Sequence, residues 1–142
     1  MSAPQLRRLE AADLPAAIAL WARAGIRLTL SDRLDELERL LAQNADTCLG
    51  AWDGGALVGA ALGTFDGRRA NLWHLAVAPE RRGEDIATAL MAAIEGVWRR
   101  MGVVKVNFAV EEANRGVLGF YEKLGYHGRE DVFLVSKVLR ED

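Results

Sequence analysis

Among its 142 residues this chain has one cysteine, three prolines, two histidines and no excess of charge of either sign. A single thiol, Cys48, cannot close an internal disulfide. With so few histidines beside it there is little material for a zinc site, so no metal is expected. The apolar stretch Ala56 to Gly63 has 8 residues, far short of a membrane span, and no membrane partner is expected. Lys and Arg number 18 against 20 Asp and Glu, a net charge of −2. That balance argues against a nucleic-acid partner held by phosphate neutralisation. The first residues, Met1-Ser2-Ala3-Pro4-Gln5, lack a basic region followed by an apolar one, so no leader is read and a cytoplasmic location is expected. What is present is ordinary: 51% hydrophobic and 27% charged residues, enough for one domain over 1–142 with a proper core.

Residues 5–10 read as a first strand. Asp13 caps a helix with Pro15 in its first turn and Ile18, Leu20 and Trp21 following, ending near Gly25. Ser31-Asp32 caps a second, whose Leu34, Leu37, Leu40 and Leu41 share one face. The pattern then turns to strands. Thr47 to Asp53 and Ala56 to Thr64 flank the hairpin turn Asp53-Gly54-Gly55, and Asn71 to Ala78 is a fourth strand stopped by Pro79. Arg82 to Met101 is helical, with Ile86, Leu90, Met91, Ile94, Val97 and Trp98 on one stripe and Gly102 as C-cap. A fifth strand at Val103 to Val110, a helix at Glu112 to Leu124 and a last strand at Val132 to Leu139 complete the chain, with a further short strand an option at Tyr126–His127. Hairpins followed by a β-α-β crossover imply an α/β (α+β) fold. Its mixed sheet is antiparallel first and parallel at the fourth and fifth strands.

The most informative stretch runs from Val77 to Met91. A strand ends, the basic turn Arg81-Arg82-Gly83 follows, and small residues open a long amphipathic helix. Unpaired amides at a helix start, with the positive end of the dipole, make an anion site, and phosphate is the obvious ligand. A plain turn with Glu84 and Asp85 on the helix dipole explains the same residues equally well.

Val77-x-Pro79-x-x-Arg82-Gly83, followed by Ile86-Ala87-x-x-Leu90, resembles the acetyl-CoA signature of the GNAT family of N-acetyltransferases, usually Arg/Gln-x-x-Gly-x-Gly/Ala. The resemblance implies that Leu75, Ala76 and Val77 hold the pantetheine arm. It assigns Arg82, Gly83, Glu84, Asp85, Ile86 and Ala87 to the pyrophosphate loop. A central sheet of six to seven strands with about four helices is implied, with the fourth and fifth strands splayed for acetyl-CoA. One position departs: the motif's central glycine is Asp85. A carboxylate about 4 Å from a phosphate costs between ~1 and ~4 kcal/mol. A helix-dipole gain of ~0.3–1 kcal/mol does not offset the upper half of that range. Weakened rather than abolished CoA binding is expected, with Asp85 pointing outward or pairing with Arg81.

Asn114 to Tyr126 resembles the family's second signature, Asn-x6-Tyr-x-x-x-Gly-Phe/Tyr, and it is intact. Asn114 and Tyr121 are seven residues apart, two turns of a continuous helix. The resemblance implies that Asn114 bonds near the pantetheine and that Tyr121 protonates the departing thiolate, a task open to a phenol; packing alone is the alternative for Tyr121.

The acceptor implied is an amine, and attack needs it neutral. The positions where relatives often carry a glutamate fall on Asn71 and Ala109. His74, on the fourth strand, has a suitable intrinsic pKa, although a strand histidine packed against a helix is the commoner case. Glu111 and Glu112 are further substitutes, and no base is assigned. The acceptor site is expected between the loop Ala24 to Asp32 and the final strands. Cys48 and the tryptophans Trp21, Trp52, Trp73 and Trp98 are read as packing, with a place bordering the acceptor pocket the alternative for Trp73. Family members often pair through their final strands, so a homodimer is one state the resemblance allows. The competing class is a non-catalytic acyl-CoA-binding module, suggested by Asp85 and the absent glutamates.

Overall fold

The computed structural model describes residues 3–141. Chain order gives β1 (Gln5–Arg8), α1 (Leu14–Arg23), α2 (Leu34–Gln43), β2 (Cys48–Asp53), β3 (Ala56–Phe65), β4 (Ala70–Val77), α3 (Ile86–Met101), β5 (Val106–Asn107) and α4 (Leu118–Lys123). The strands form one sheet in sequential order. β1 to β4 are antiparallel, and β5 joins β4 in parallel through Ala70↔Val106 and Asn71↔Asn107. The fold is thus the mixed α/β sheet expected, with α3 as the crossover between the parallel strands. The described residues divide after Asn107 into two compact units.

Local chemistry explains the first unit. Gly54 and Gly55 take φ of 57° and 91°, the left-handed pair that a two-residue hairpin turn demands, and Asp53↔Ala56 closes it. Along β3 the side chains alternate between faces. A Cβ on Gly59 would stand 2.9 Å from Ile86, and one on Gly63 would stand 2.9 Å from Trp98, so this face of β3 lies hard against α3. α3 buries Ile86, Leu90, Met91, Ile94 and Trp98 there, as the stripe predicts. α1 packs on β3 and β4 with Leu14, Ala17, Leu20 and Trp21 buried. Cys48 is fully buried, and burial pushes its thiol up to about 12, which suits packing and not nucleophilic chemistry.

Several expectations need correction. Asp32 does not cap α2. It closes a short 3-10 turn, Leu30–Asp32, accepting from the Thr29 amide, and Arg33 stands at the start of α2. Trp73 is 45% exposed rather than packed, its indole N–H donating to Thr64 Oγ1 at 3.2 Å. The helix expected from Glu112 to Leu124 is divided into a 3-10 segment, Glu112–Val117, and α4. Glycines 116 and 119 weaken α-helix there, and Asn114 is non-helical at φ −109°. Among the described residues the sheet has five strands, not six or seven. The segments at 126–127 and 132–139 form no strand, and Phe133, Leu134 and Val135 are all largely exposed. An apolar stretch becomes a strand only when a neighbour completes its ladder, and among the described residues this one pairs with none.

The contact at Gly63 gives a stability prediction. A methyl there meets the Thr47 carbonyl oxygen at 2.8 Å as well as Trp98, and backbone cannot swing aside. Gly63→Ala should lower stability by about 1–3 kcal/mol, read as a reduced midpoint in urea; an unshifted midpoint would mean α3 sits further from the sheet.

Candidate active site

β4 and α3 are joined by a tight turn. The Ala78 amide bonds Val58 at 2.8 Å, closing the ladder, and Pro79–Arg81 make one 3-10 turn. The chain then passes through Gly83 at φ 84° and Asp85 at φ 65°, ψ 19° before α3 begins. Two left-handed residues flank Glu84, and the second is where the signature expects glycine. The backbone explains that preference directly, since a left-handed residue with a Cβ costs roughly 1–2 kcal/mol. Aspartate is among the non-glycine residues that tolerate the conformation best.

The first bond of α3 runs from Ala89 to the Asp85 carbonyl, and Asp85 makes no side-chain cap. The amides of Ile86, Ala87 and Thr88 therefore precede the helical ladder and have no acceptor within α3. Charge around them is distributed differently from the sequence reading. Arg81 Nε donates to both Glu84 oxygens at 2.9 and 3.0 Å, and its Nη1 donates to Asp53 at 2.8 Å. These hydrogen bonds, Glu84 first and Asp53 second, raise the guanidinium's pKa further. Arg81 is a clamp that draws Glu84 aside, and it does not pair with Asp85. Arg82 is exposed and makes no ion pair among the described residues, so it alone supplies free positive charge. Leu75, Ala76 and Val77 lie on the last turn of β4's pleat, directly before this loop.

The β4–β5 ladder ends at Asn71↔Asn107, so Leu72 to Val77 carry no ladder on that edge. β4 also carries a bulge. Ala60 pairs with Ala76 and Leu62 with Trp73, leaving one extra residue in β4. His74 sits there at φ 56°, its ring 5.1 Å from that of Trp21 on α1. Its Nε2 lies 2.6 Å from Asp32 Oδ1. Burial raises the Asp32 pKa, but hydrogen bonds from His74 and the Thr29 amide outweigh it and hold the carboxyl below its usual value. Nearby, a cleft of about 360 Å³ is lined by Ser31, Glu36, Arg39, Phe65, Asp66 and Asn71 among others.

In the second unit Tyr121 is buried beside Phe108 at 4.7 Å, Phe120 at 5.1 Å and Tyr126 at 6.0 Å between ring centroids. Burial pushes its phenol up to about 12. Asn114 is half-buried and non-helical, so the two-turn alignment with Tyr121 along one continuous helix is not formed.

A family model described as the acetyltransferase (GNAT) family matches residues 3–126. The chain belongs to the GNAT acetyltransferase family. Among GNAT relatives, an acetyltransferase of Sodalis glossinidius is 35% identical over 92% of this chain and 92% of its own. One of Pectobacterium atrosepticum is 35% identical over 97% of each. The fold is shared with PaiA N-acetyltransferase from Thermoplasma acidophilum, solved with coenzyme A. That similarity has a TM-score of 0.76 and 20% identity, over 87% of this chain and 89% of the other. This GNAT chain is accordingly an acetyltransferase. No helix among the described residues is long and apolar enough to cross a membrane.

Sequence reasoning missed the Arg81 clamp and the His74–Asp32 pair, whose members are 28 and 42 residues from their partners. No local pattern announces either.

The Tyr121 environment sets a pH dependence. Its folded pKa, near 12, lies above the ordinary 10.0, so the unfolded chain loses this proton first. The stabilisation is complete below pH 10 and is lost as pH rises toward 12. In Tyr126→Phe, Tyr121 is the remaining tyrosine, and absorbance of the phenolate should show a midpoint near 12. A midpoint at 10 would place the ring in water.

Proposed function

We propose that this chain, acting as one domain, moves the acetyl group of acetyl-CoA directly to a primary amine of a small molecule, a protein N-terminus or a lysine. The observation that carries the reading is the loop entering α3. It offers unspent amides at Ile86 and Ala87, a free Arg82, and an Arg81 clamp that removes Glu84 from the path of an anion. In this reading Leu75, Ala76 and Val77 lie along the pantetheine arm, and Arg82, Gly83, Glu84, Asp85, Ile86 and Ala87 surround the pyrophosphate. A Leu75 amide would serve the oxyanion of the tetrahedral intermediate. Asn114 bonds near the pantetheine. The similarity to the Thermoplasma protein, an N-acetyltransferase solved with coenzyme A, supports both the cosubstrate and the amine.

Tyr121 is proposed as the acid that serves the thiolate. Its phenol at about 12 is a reluctant donor. A thiol ionises near 8.5, so complete transfer in one step costs about 5 kcal/mol. The phenol therefore acts by hydrogen bonding to the sulfur as charge develops, and transfer completes as the nitrogen releases its own proton. The exposed apolar run from Val132 to Leu139 supports a homodimer joined there, and a cytoplasmic setting fits the reading.

Two measurements test this. In a thiol-release assay with acetyl-CoA and an amine panel, Tyr121→Phe should lower kcat roughly 100-fold while calorimetric CoA affinity holds; full activity in the variant would remove the acid role. Asp85→Gly deletes a carboxylate beside the phosphates and relaxes a left-handed residue. CoA should bind at least ~5-fold more tightly, a gain of about 1 kcal/mol, whereas equal affinity would mean the anion lies elsewhere.

A further inference from the structure

We propose that His74, oriented by Asp32, is the base that takes the proton from the acceptor amine. The proposal rests on the amine-acetylation reading above and supplies the group that the non-acidic Asn71 and Ala109 leave unassigned.

The backbone is the first argument. Alternation along β4 would turn His74 away from Trp73 and onto the α3 face. The bulge cancels that alternation, and at φ 56° the ring swings to the α1 face, against Trp21. A non-glycine residue in the left-handed region costs free energy, and such residues concentrate where geometry serves function. This one stands immediately before Leu75, whose amide is proposed for the oxyanion.

The hydrogen bonds are the second argument. Asp32 Oδ2 accepts from the Thr29 amide at 2.9 Å and from Thr29 Oγ1 at 3.4 Å, which fixes the carboxyl and leaves Oδ1 for His74 Nε2 at 2.6 Å. Those bonds keep Asp32 ionised, and an ionised carboxylate only accepts. Nε2 must then carry the hydrogen, and the neutral ring's lone pair lies on Nδ1. Nδ1 has no hydrogen-bond partner among the described residues. A histidine kept only for packing would have no use for a tautomer fixed in this way.

The surroundings are the third. The His74 side chain is 16% exposed, reachable but shielded. Asp32 is the charged group facing it. α1 presents the Trp21 ring, and the opposing stretch of β3 is Ala60, Ala61 and Leu62, none titratable. Ser31, next to Asp32, and Asn71, on the same strand as His74, both line the neighbouring cleft, whose acids Glu36 and Asp66, beside Arg39, suit an ammonium group.

The step balances as follows. The ammonium gives one proton to His74 Nδ1, forming an imidazolium stabilised by Asp32. The freed lone pair forms the C–N bond to the acetyl carbon, and the C–S bond breaks. The nitrogen's second surplus proton ends on the coenzyme A sulfur, and His74 returns its proton to water.

The test uses the full chain, acetyl-CoA and two small acceptors. Ethylamine is protonated at neutral pH and needs a base, whereas methoxyamine is already neutral. The readout is the ratio of kcat/KM for ethylamine to that for methoxyamine. In His74→Asn, whose side chain tolerates the left-handed backbone, the ratio should fall about 100-fold, the usual worth of a general base. In Asp32→Asn it should fall about tenfold, through loss of the fixed tautomer. An equal loss on both acceptors would show a structural role and overturn the proposal, as would an unmoved ratio. If His74→Asn misfolds and loses CoA affinity in calorimetry, Asp32→Asn decides, because it leaves the bulge intact; an unmoved ratio there overturns the proposal. Wild-type enzyme that acetylates neither nitrogen acceptor but does acetylate an alcohol or thiol would overturn the amine reading itself, and the base with it.

Discussion

The close approach of α3 to β3 is the constraint on which the rest of the structure depends. Gly59 and Gly63 leave no side chain between strand and helix, and Ile86, Leu90, Ile94 and Trp98 fill the space a Cβ would need. Packing at this density fixes the helix in both position and rotation. Its N-terminus consequently emerges just beyond the end of β4. The link from Val77 to Ile86 must turn within a few residues, and Gly83 and Asp85 do so through left-handed backbone. The position of the first α3 amides is a product of that packing, not a separate device.

Electrostatics then decides what such an end can hold. The loop contains or adjoins Glu80, Glu84, Asp85 and Asp53, more acids than bases, and taken as a tally it would repel a phosphate. Partnering changes the outcome. Glu80 is bound by Arg23 at 2.6 Å, while Asp53 and Glu84 are bound by Arg81. What remains near the amides is Arg82 against Asp85. That balance is what the proposed anion site rests on, in a chain whose net charge is −2.

Periodicity made the core legible. The stripe from Ile86 to Trp98, the glycine pair at 54–55 and the burial of Cys48 each follow from local pattern and hold in the structure. The loop before α3 was legible too, because its chemistry is contiguous. What escaped depends on partners distant in sequence. The bulge at His74 is a property of how β3 registers on β4, and only that register brings the ring to Asp32. Arg81 reads in sequence as part of a basic turn with Asp85 as a possible partner, whereas Asp53 reaches it from across the hairpin. Val132 to Leu139 is rich in strand-forming residues, but that composition records a capacity for pairing and not a partner. At Asn114 the local competition between 3-10 and α-helical bonding, weighted by two glycines, defeated a spacing argument that assumed one continuous helix.

The central claim is that coenzyme A is held by the end of β4 and the start of α3. The most direct measurement is the perturbation of backbone amide resonances as coenzyme A is titrated into the protein. The account predicts the largest shifts at Leu75 to Val77 and at Arg82 to Ala87, with Ile86 and Ala87 moving as their free N–H groups take up phosphate oxygens. Binding that leaves those amides unmoved and shifts another surface instead would contradict it.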